Sequence, residues 1–260
     1  MNRRSILICF LLLGPAVAIP AAETAELKNL RVGGVRLINF EDKDNGIRPF
    51  NWSAGLTMSL VGELPEAALA VQKGELTEAV ADNGKSLLRE KKWDRRISFP
   101  KLSKDRKQVV FQAKMVVPGP DVRGLKRLSG TLTYLTSTGT KEQDLGTMAL
   151  KKGTKGPALG AEVVSVAPSK WRKGKQELKL KLAIEKETIK QIQFLDADGK
   201  PLAFKKSGSM STKDWVQLGF TAEKFPDTAK IKLTLHDNLK KKDLRFTLRN
   251  VTLTGRPLKK

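Results

Sequence analysis

The chain has 260 residues, a formal net charge of +22 and 40% hydrophobic residues, with one cysteine and one histidine. That length and apolar content suffice to bury a core without staples, and the single cysteine and single histidine exclude a disulfide framework and both cysteine-based and multi-histidine zinc sites. The basic excess points to polyanionic neighbours, because phosphate-rich glycans, anionic lipid surfaces and nucleic acid all respond to the same salt-weakened field, which does not choose among them.

The chain opens with Arg3 and Arg4, the apolar run Ile6 to Leu13 and the small-residue patch Ala16-Val17-Ala18. This is the pattern of a secretory signal peptide over residues 1–22, too short in its apolar run to span a bilayer. Cleavage would remove Cys9 and leave a thiol-free chain with a net charge of about +20, that is +22 less Arg3 and Arg4. Ile8 stands where a lipoprotein signal needs a small residue, so lipid anchoring is not expected. No later apolar stretch reaches the roughly 20 residues of a membrane helix. The expected address is secreted or periplasmic.

From there the apolar periodicity is two, the signature of half-buried strands. Val32 to Ile38, Leu56 to Leu64, Leu76 to Ala81, Ile97 to Phe99, Val109 to Val117, Leu128 to Leu135 and Leu145 to Leu150 are the expected strands of a first half. Asp82-Asn83-Gly84, Pro118-Gly119-Pro120 and Ser137-Thr138-Gly139 punctuate them as turns. Glu66 to Val71 allows a helix of a turn or two. Lys151 to Pro157 has the Gly, Pro and Lys content of a solvated linker. Beyond it the expected strands are Ala161 to Ala167, Leu178 to Ile184, Ile189 to Asp196, Trp215 to Phe220, Ile231 to Leu235 and Leu244 to Leu248. The clearest alternates Leu178, Leu180, Leu182 and Ile184 with Lys179, Lys181 and Ala183.

The expected organisation is all-β: residues 1–22 a signal peptide, 23–152 a first β-sandwich, 153–158 a linker and 159–260 a second β-sandwich. Both halves are basic, with 24 basic residues against 16 acids in 23–155 and 23 against 11 in 156–260. Ala81-Asp82-Asn83-Gly84-Lys85-Ser86-Leu87 echoes Ala197-Asp198-Gly199-Lys200-Pro201-Leu202, either as turn chemistry or as a trace of duplication.

With the turn Asp82 to Leu88, the strand Gly124 to Leu132 and the closing Phe246 to Leu253, the chain resembles secreted proteins of environmental, planctomycete-like bacteria that carry tandem immunoglobulin-like β-sandwich domains. The resemblance loosely covers residues 55–253, implies the fold and brings no activity with it. The antibody-type cysteine pair is absent, so the likeness is architectural.

Catalytic motifs are not found. A Ser-His-Asp triad would have to use His236, which continues the strand of Ile231, Leu233 and Leu235 and is expected to face solvent beside Asp237. No nucleophile elbow, P-loop or dinucleotide fingerprint occurs. Asp42-Lys43-Asp44-Asn45-Gly46 and Asp196-Ala197-Asp198-Gly199 begin like calcium loops but lack the closing bidentate Glu, so turns without metal are expected and no cofactor is implied. Trp52 and Trp215 lie where core packing is the ordinary use, and Asn51-Trp52-Ser53 and Asn250-Val251-Thr252 match the glycosylation sequon.

Two tryptophans sit instead in basic loops, Trp93 with Arg95 and Arg96, and Trp171 with Arg172 and Lys173. An aromatic plate beside cations suits an anionic glycan or a stacked base, and packing under a cation uses the same residues. The expected function is a non-enzymatic binding or structural module of the cell envelope. Its partner would be a polyanionic glycan, an anionic lipid surface or an acidic protein, with nucleic acid still open. The alternatives are a carboxylate-based glycan hydrolase and an assembly subunit that pairs through a sheet edge.

Overall fold

A computed structural model describes residues 25–40, 53–97 and 100–258, and over them the chain is all-β. The expected leader with Cys9, the acidic turn at Asp42 to Gly46, Asn51 and Trp52 of the first sequon, and Phe99 lie outside the described residues. Helical structure among the described residues is limited to two 3-10 turns, Lys92–Arg95 and Lys186–Thr188, and no helix is long and apolar enough to cross a membrane. The stretch Glu66 to Val71 is not helical. Leu69 N–H donates to Leu135 O at 2.7 Å, which commits the segment to the sheet one residue before the strand begins.

The strands run β1 (Ala25–Glu26), β2 (Lys28–Ile38), β3 (Gly55–Glu63), β4 (Ala70–Ala81), β5 (Lys101–Leu102), β6 (Gln108–Met115), β7 (Gly124–Thr136), β8 (Gly139–Ala149), β9 (Glu162–Pro168), β10 (Gln176–Leu182), β11 (Ile189–Leu195), β12 (Lys205–Ser211), β13 (Val216–Ala222), β14 (Thr228–Asp237) and β15 (Lys240–Thr252). They form four sheets, ordered β2-β3-β6-β5, β1-β15-β7-β4, β9-β10-β13-β12 and β11-β14-β8. The first two enclose one core, in which Leu56, Met58, Leu60 and Phe111 meet Leu76, Leu128, Leu132 and Phe246. The other two enclose a second, in which Leu178, Leu180, Leu182 and Phe220 meet Phe194, Ile231, Leu233 and Leu235. Each inward residue is the apolar member of an alternating pair, as at Leu180, fully buried between Lys179 and Lys181.

Counted from β2 and from β9, the two halves place seven strands in the same way. The first, second, fifth and fourth make one sheet, and the third pairs with the sixth in the other. The seventh strands, β8 and β15, are exchanged: β15 pairs with β7 and β8 pairs with β14. One antiparallel register runs straight through the crossing, Thr136↔Lys240 on one side and Gly139↔Asp237 on the other. A two-residue hairpin at Ser137-Thr138 in either favoured turn would need positive φ at the first residue or at both, and neither has it. Hence β7 runs on into β8 instead of folding back. The Ser137 hydroxyl, 2.6 Å from Asp237 O and 2.7 Å from Gly139 O, ties the two strands together where they cross.

This corrects the division at 153–158. That boundary separates the two sequence halves but not the two cores: the second core begins at Leu145, and the first takes back Leu244, Phe246 and Val251. The expected linker is itself folded, with Gly153 N–H on Val163 O at 2.8 Å and Val163 N–H on Thr154 O at 2.9 Å. The turn expected at Ser137 to Gly139 is likewise a crossing.

The turn echo is larger than its sequence showed. Ala81 to Lys85 and Asp196 to Lys200 are closed by the same bond from first amide to last carbonyl, at 2.8 and 3.0 Å, with Gly84 and Gly199 at φ +86 and +78. Thr252 to Arg256 repeats it at 2.7 Å, with Gly255 at φ +83. Each is followed two residues later by a leucine, Leu87, Leu202 or Leu258, whose amide pairs back onto the strand just left. Asp196 Oδ1 accepts the amides of Asp198 and Lys200, so this carboxylate is spent on the turn.

Candidate functional site

After its turn, the chain between β4 and β5 closes one side of the first sandwich and is strapped to both sheets. Val116 N–H donates to Leu87 O at 3.0 Å, anchoring the segment at the end of β6, and Ile97 N–H donates to Gly74 O at 2.9 Å, anchoring it on β4. Between these straps lie Arg89 and the 3-10 turn Lys92–Arg95. The Arg89 guanidinium is half-buried, with Nη2 at 3.4 Å from both Ala54 O and Met115 O. Gly55 makes room for it: at φ +148, a Cβ there would come within 2.8 Å of Arg89 Nη2 and 2.6 Å of Met115 O. The Arg89 Nε–H is buried with no hydrogen-bond acceptor among the described residues, a cost that a folded chain rarely carries without a use.

Arg95, expected to meet ligand, is turned inward on its own loop. Its Nε donates to Arg89 O at 2.6 Å and its Nη2 to Glu90 O at 2.8 Å. Two carbonyls that no strand pairs with are thereby satisfied, and the side chain fixes the loop rather than facing outward. Trp93 at the turn is 61% exposed, with Lys91 Nζ 5.6 Å from the ring centroid.

Trp93 and Arg96 together form the ridge between two concavities. On one side is a groove of about 870 Å³ over the outer face of β4, β7 and β15, lined by Lys73, Glu75, Lys92, Thr131, Asp243 and Arg245 besides the ridge. Asp243 there accepts the Thr133 hydroxyl at 2.6 Å. On the other side is a pocket of about 350 Å³ against the outer face of β2, β3 and β6, lined by Arg36, Ser53, Thr57, Arg89, Asp94 and Lys114 with the ridge. Arg36, Thr57 and Lys114 are register partners in one row across three strands, so they stand on the same face. Among the described residues five cations pair with acids, Arg127–Glu78 at 2.6 Å and Lys230–Asp144 at 2.9 Å among them. Lys85 with Asn83 binds Asp121, and these bonds hold its carboxyl below the usual carboxylate range. Among the described residues, Arg89, Arg96 and Lys114 form no such ion pair.

Trp171, Arg172 and Lys173 are elsewhere, in the loop between β9 and β10, all exposed, with Trp171 at 91%. This loop lines neither concavity, so the two tryptophan segments do not make one site. Its closing bonds are Ser169 N–H to Lys175 O and Lys175 N–H to Arg172 O, at 2.7 and 3.1 Å. Trp215 lies half-buried under Lys181 Nζ at 5.1 Å. His236, expected to face solvent, is half-buried at the junction of the sandwiches, where Leu69, Ala70 and Arg106 meet Lys186, Glu187, Ile189 and Lys190. Burial first, then the charges of Arg106 and Lys190, push its pKa below the ordinary histidine value. Sequence reasoning missed Arg36, Arg89 and Lys114, and the only local hint was Gly55, whose role depends on a neighbour 34 residues away. Among the described residues, no three His, Cys, Asp or Glu side chains converge as a metal site would require.

No family model and no curated protein sequence matches this chain. Among solved structures, one match is described as the complete structure of manganese lipoxygenase of Gaeumannomyces graminis and partial structure of zonadhesin of Komagataella pastoris. It is 10% identical, covers 78% of this chain and 89% of that one, and has a TM-score of 0.13. At that score the likeness carries no argument about fold or function.

Proposed function

We propose that the chain is a secreted or periplasmic, non-enzymatic binding module of the cell envelope that holds a polyanion on the Trp93–Arg96 ridge. The observation that carries this reading is the meeting of Arg89, Arg96 and Lys114, none in an ion pair among the described residues, beside a tryptophan left 61% exposed. Most cations among the described residues form no ion pair and are scattered, whereas these converge beside an exposed aromatic plate, so they are the part of the +22 charge that a ligand would use. The sandwiches are of immunoglobulin-like type in this reading. The strand order first-second-fifth-fourth against third-sixth-seventh, found in both, is that of a constant-type domain. The Arg3-Arg4 and apolar-run pattern of residues 1–22 supports export, and the resemblance to secreted planctomycete-like proteins fits both points.

The test is binding of residues 23–260 to envelope polysaccharides, anionic vesicles and DNA at low and moderate salt, with Trp93→Ala and Trp171→Ala variants. The reading expects one class to bind through moderate salt, with affinity lost in Trp93→Ala and kept in Trp171→Ala. Weak binding to every polyanion, abolished by salt in all variants, would sink it. Glycan hydrolysis is less well supported. Glu75 and Asp243 share the larger groove, but Asp243 is held by the Thr133 hydroxyl and cations outnumber acids around both. Sheet-edge assembly is favoured by one observation, the exposed strand β12, which among the described residues pairs only with β13 and carries no lysine from Ser207 to Ser211. Ser209→Lys would abolish an association made there and leave polyanion binding intact.

A further inference from the structure

We infer that the pocket between the Trp93–Arg96 ridge and the outer face of β2, β3 and β6 is a subsite for a tetrahedral oxyanion ester, sulfate or phosphate, carried on a sugar whose ring lies on Trp93. The inference rests on the polyanion-binding reading and names the chemistry and the place. Among the described residues the pocket holds Arg36, Arg89, Arg96 and Lys114 with one acid, Asp94, and the hydroxyls of Ser53 and Thr57 as further donors. Only 15 of the 49 basic residues of the chain are arginine, yet three of the four cations here are. The guanidinium fork matches an oxyanion two oxygens at a time, which the lysines covering the rest of the surface cannot do.

The register gives the subsite its shape. Arg36 and Lys114 stand one strand to either side of Thr57, roughly 10 Å apart at their backbones, leaving a gap floored by a hydroxyl. The strapped loop brings Arg89 and Arg96 over that gap, and Arg95 locks the loop through Arg89 O and Glu90 O. The donors are therefore positioned before the ligand arrives, and like charges held together gain most when an anion enters. Across the ridge, the groove with Lys73, Lys92, Arg245, Glu75 and Asp243 has the mixed polarity that sugar hydroxyls require, so the glycan continues from the ester over Trp93 into it. Nucleic acid fits less well: single strands stack successive bases on several aromatics, and Trp93 is the only aromatic lining either concavity among the described residues.

Calorimetry on residues 23–260 at moderate salt tests this, using a heparin-derived tetrasaccharide, its desulfated counterpart, a phosphorylated oligosaccharide and a single-stranded DNA oligonucleotide. Lys114→Gln, Arg96→Gln and Trp171→Ala serve as variants, and circular dichroism checks that each is folded. At least one ester-bearing sugar should bind about tenfold or more tighter than the desulfated one, and Lys114→Gln and Arg96→Gln should each lose about tenfold while Trp171→Ala loses nothing. Preference between the two esters assigns the source of the oxyanion. If folded Lys114→Gln and Arg96→Gln bind the esters as the unaltered chain does, or if the desulfated sugar or the DNA binds as well, the subsite is refuted while polyanion binding stands. Failure of the unaltered chain to bind either ester-bearing sugar, anionic vesicles or the DNA refutes both.

Discussion

Arg95 and His236 show how far a side chain's neighbours override its type. Arg95 is one of four basic residues in the run Lys91 to Arg96, yet its guanidinium closes two carbonyls of its own loop. Arg95→Ala should therefore loosen the Trp93 turn, at a cost of about 1–3 kcal/mol in local stability, and weaken polyanion binding without removing a ligand contact. Amide hydrogen exchange over residues 89–96 checks this: faster exchange there and unchanged exchange in β14 is the expected pattern. His236 has its folded pKa lowered, by burial first and then by Arg106 and Lys190, with Lys186 and Glu187 also facing it. A lowered folded pKa means that the unfolded chain takes up the proton first. Stability from this group is thus complete above the unfolded value near 6.5 and falls as pH drops through the folded pKa. Melting temperatures of the unaltered chain and of His236→Gln should diverge between neutral pH and mildly acidic pH, with the variant the less pH-sensitive.

Strands with a strict apolar-polar alternation, such as Gln176–Leu182, were legible because one face must be buried and the side-chain period is two. β12 was not, since Lys205–Ser211 buries neither face and so leaves no alternation to read. Close packing between strands is equally silent in sequence. Gly130, in the middle of β7, sits where a Cβ would meet Glu75 O at 2.4 Å and the Phe246 ring at 2.5 Å. Backbone on one side and a buried ring, itself 4.9 Å from Phe111, on the other leave no room to relax. Gly130→Ala should cost about 1–3 kcal/mol or more, read as a lower midpoint in denaturant. Ala at Gly84, whose surroundings are open, carries only the penalty of its positive φ, about 1 kcal/mol.

For the molecule as a whole, the exchange of β8 and β15 makes each sandwich incomplete without the other half of the chain. Two independent domains joined by a linker at 153–158 would unfold separately, whereas a ribbon shared by both cores couples them. A single calorimetric transition, with equal van't Hoff and calorimetric enthalpies, is the expected result. The exchange could not be read from residues 137–138 by composition, because a hairpin and a crossing bury the same faces and make the same ladder bonds. Only the missing positive φ separates them, and Ser-Thr does not announce it. Of the six site residues marked in sequence, Trp93 and Arg96 form the ridge, Arg95 supports it, and Trp171, Arg172 and Lys173 stand apart. The cations completing the pocket come from β2, from β6 and from the start of the loop, separations that no local pattern spans.

The most direct test of the ridge as the polyanion site is amide chemical-shift mapping of the labelled chain titrated with a heparin oligosaccharide. Shifts concentrated at residues 89–96 and on the rows of Arg36, Thr57 and Lys114 and of Lys73, Thr133 and Asp243 are the predicted result. Shifts centred on residues 169–175, or spread evenly over the lysine-bearing faces, would contradict it.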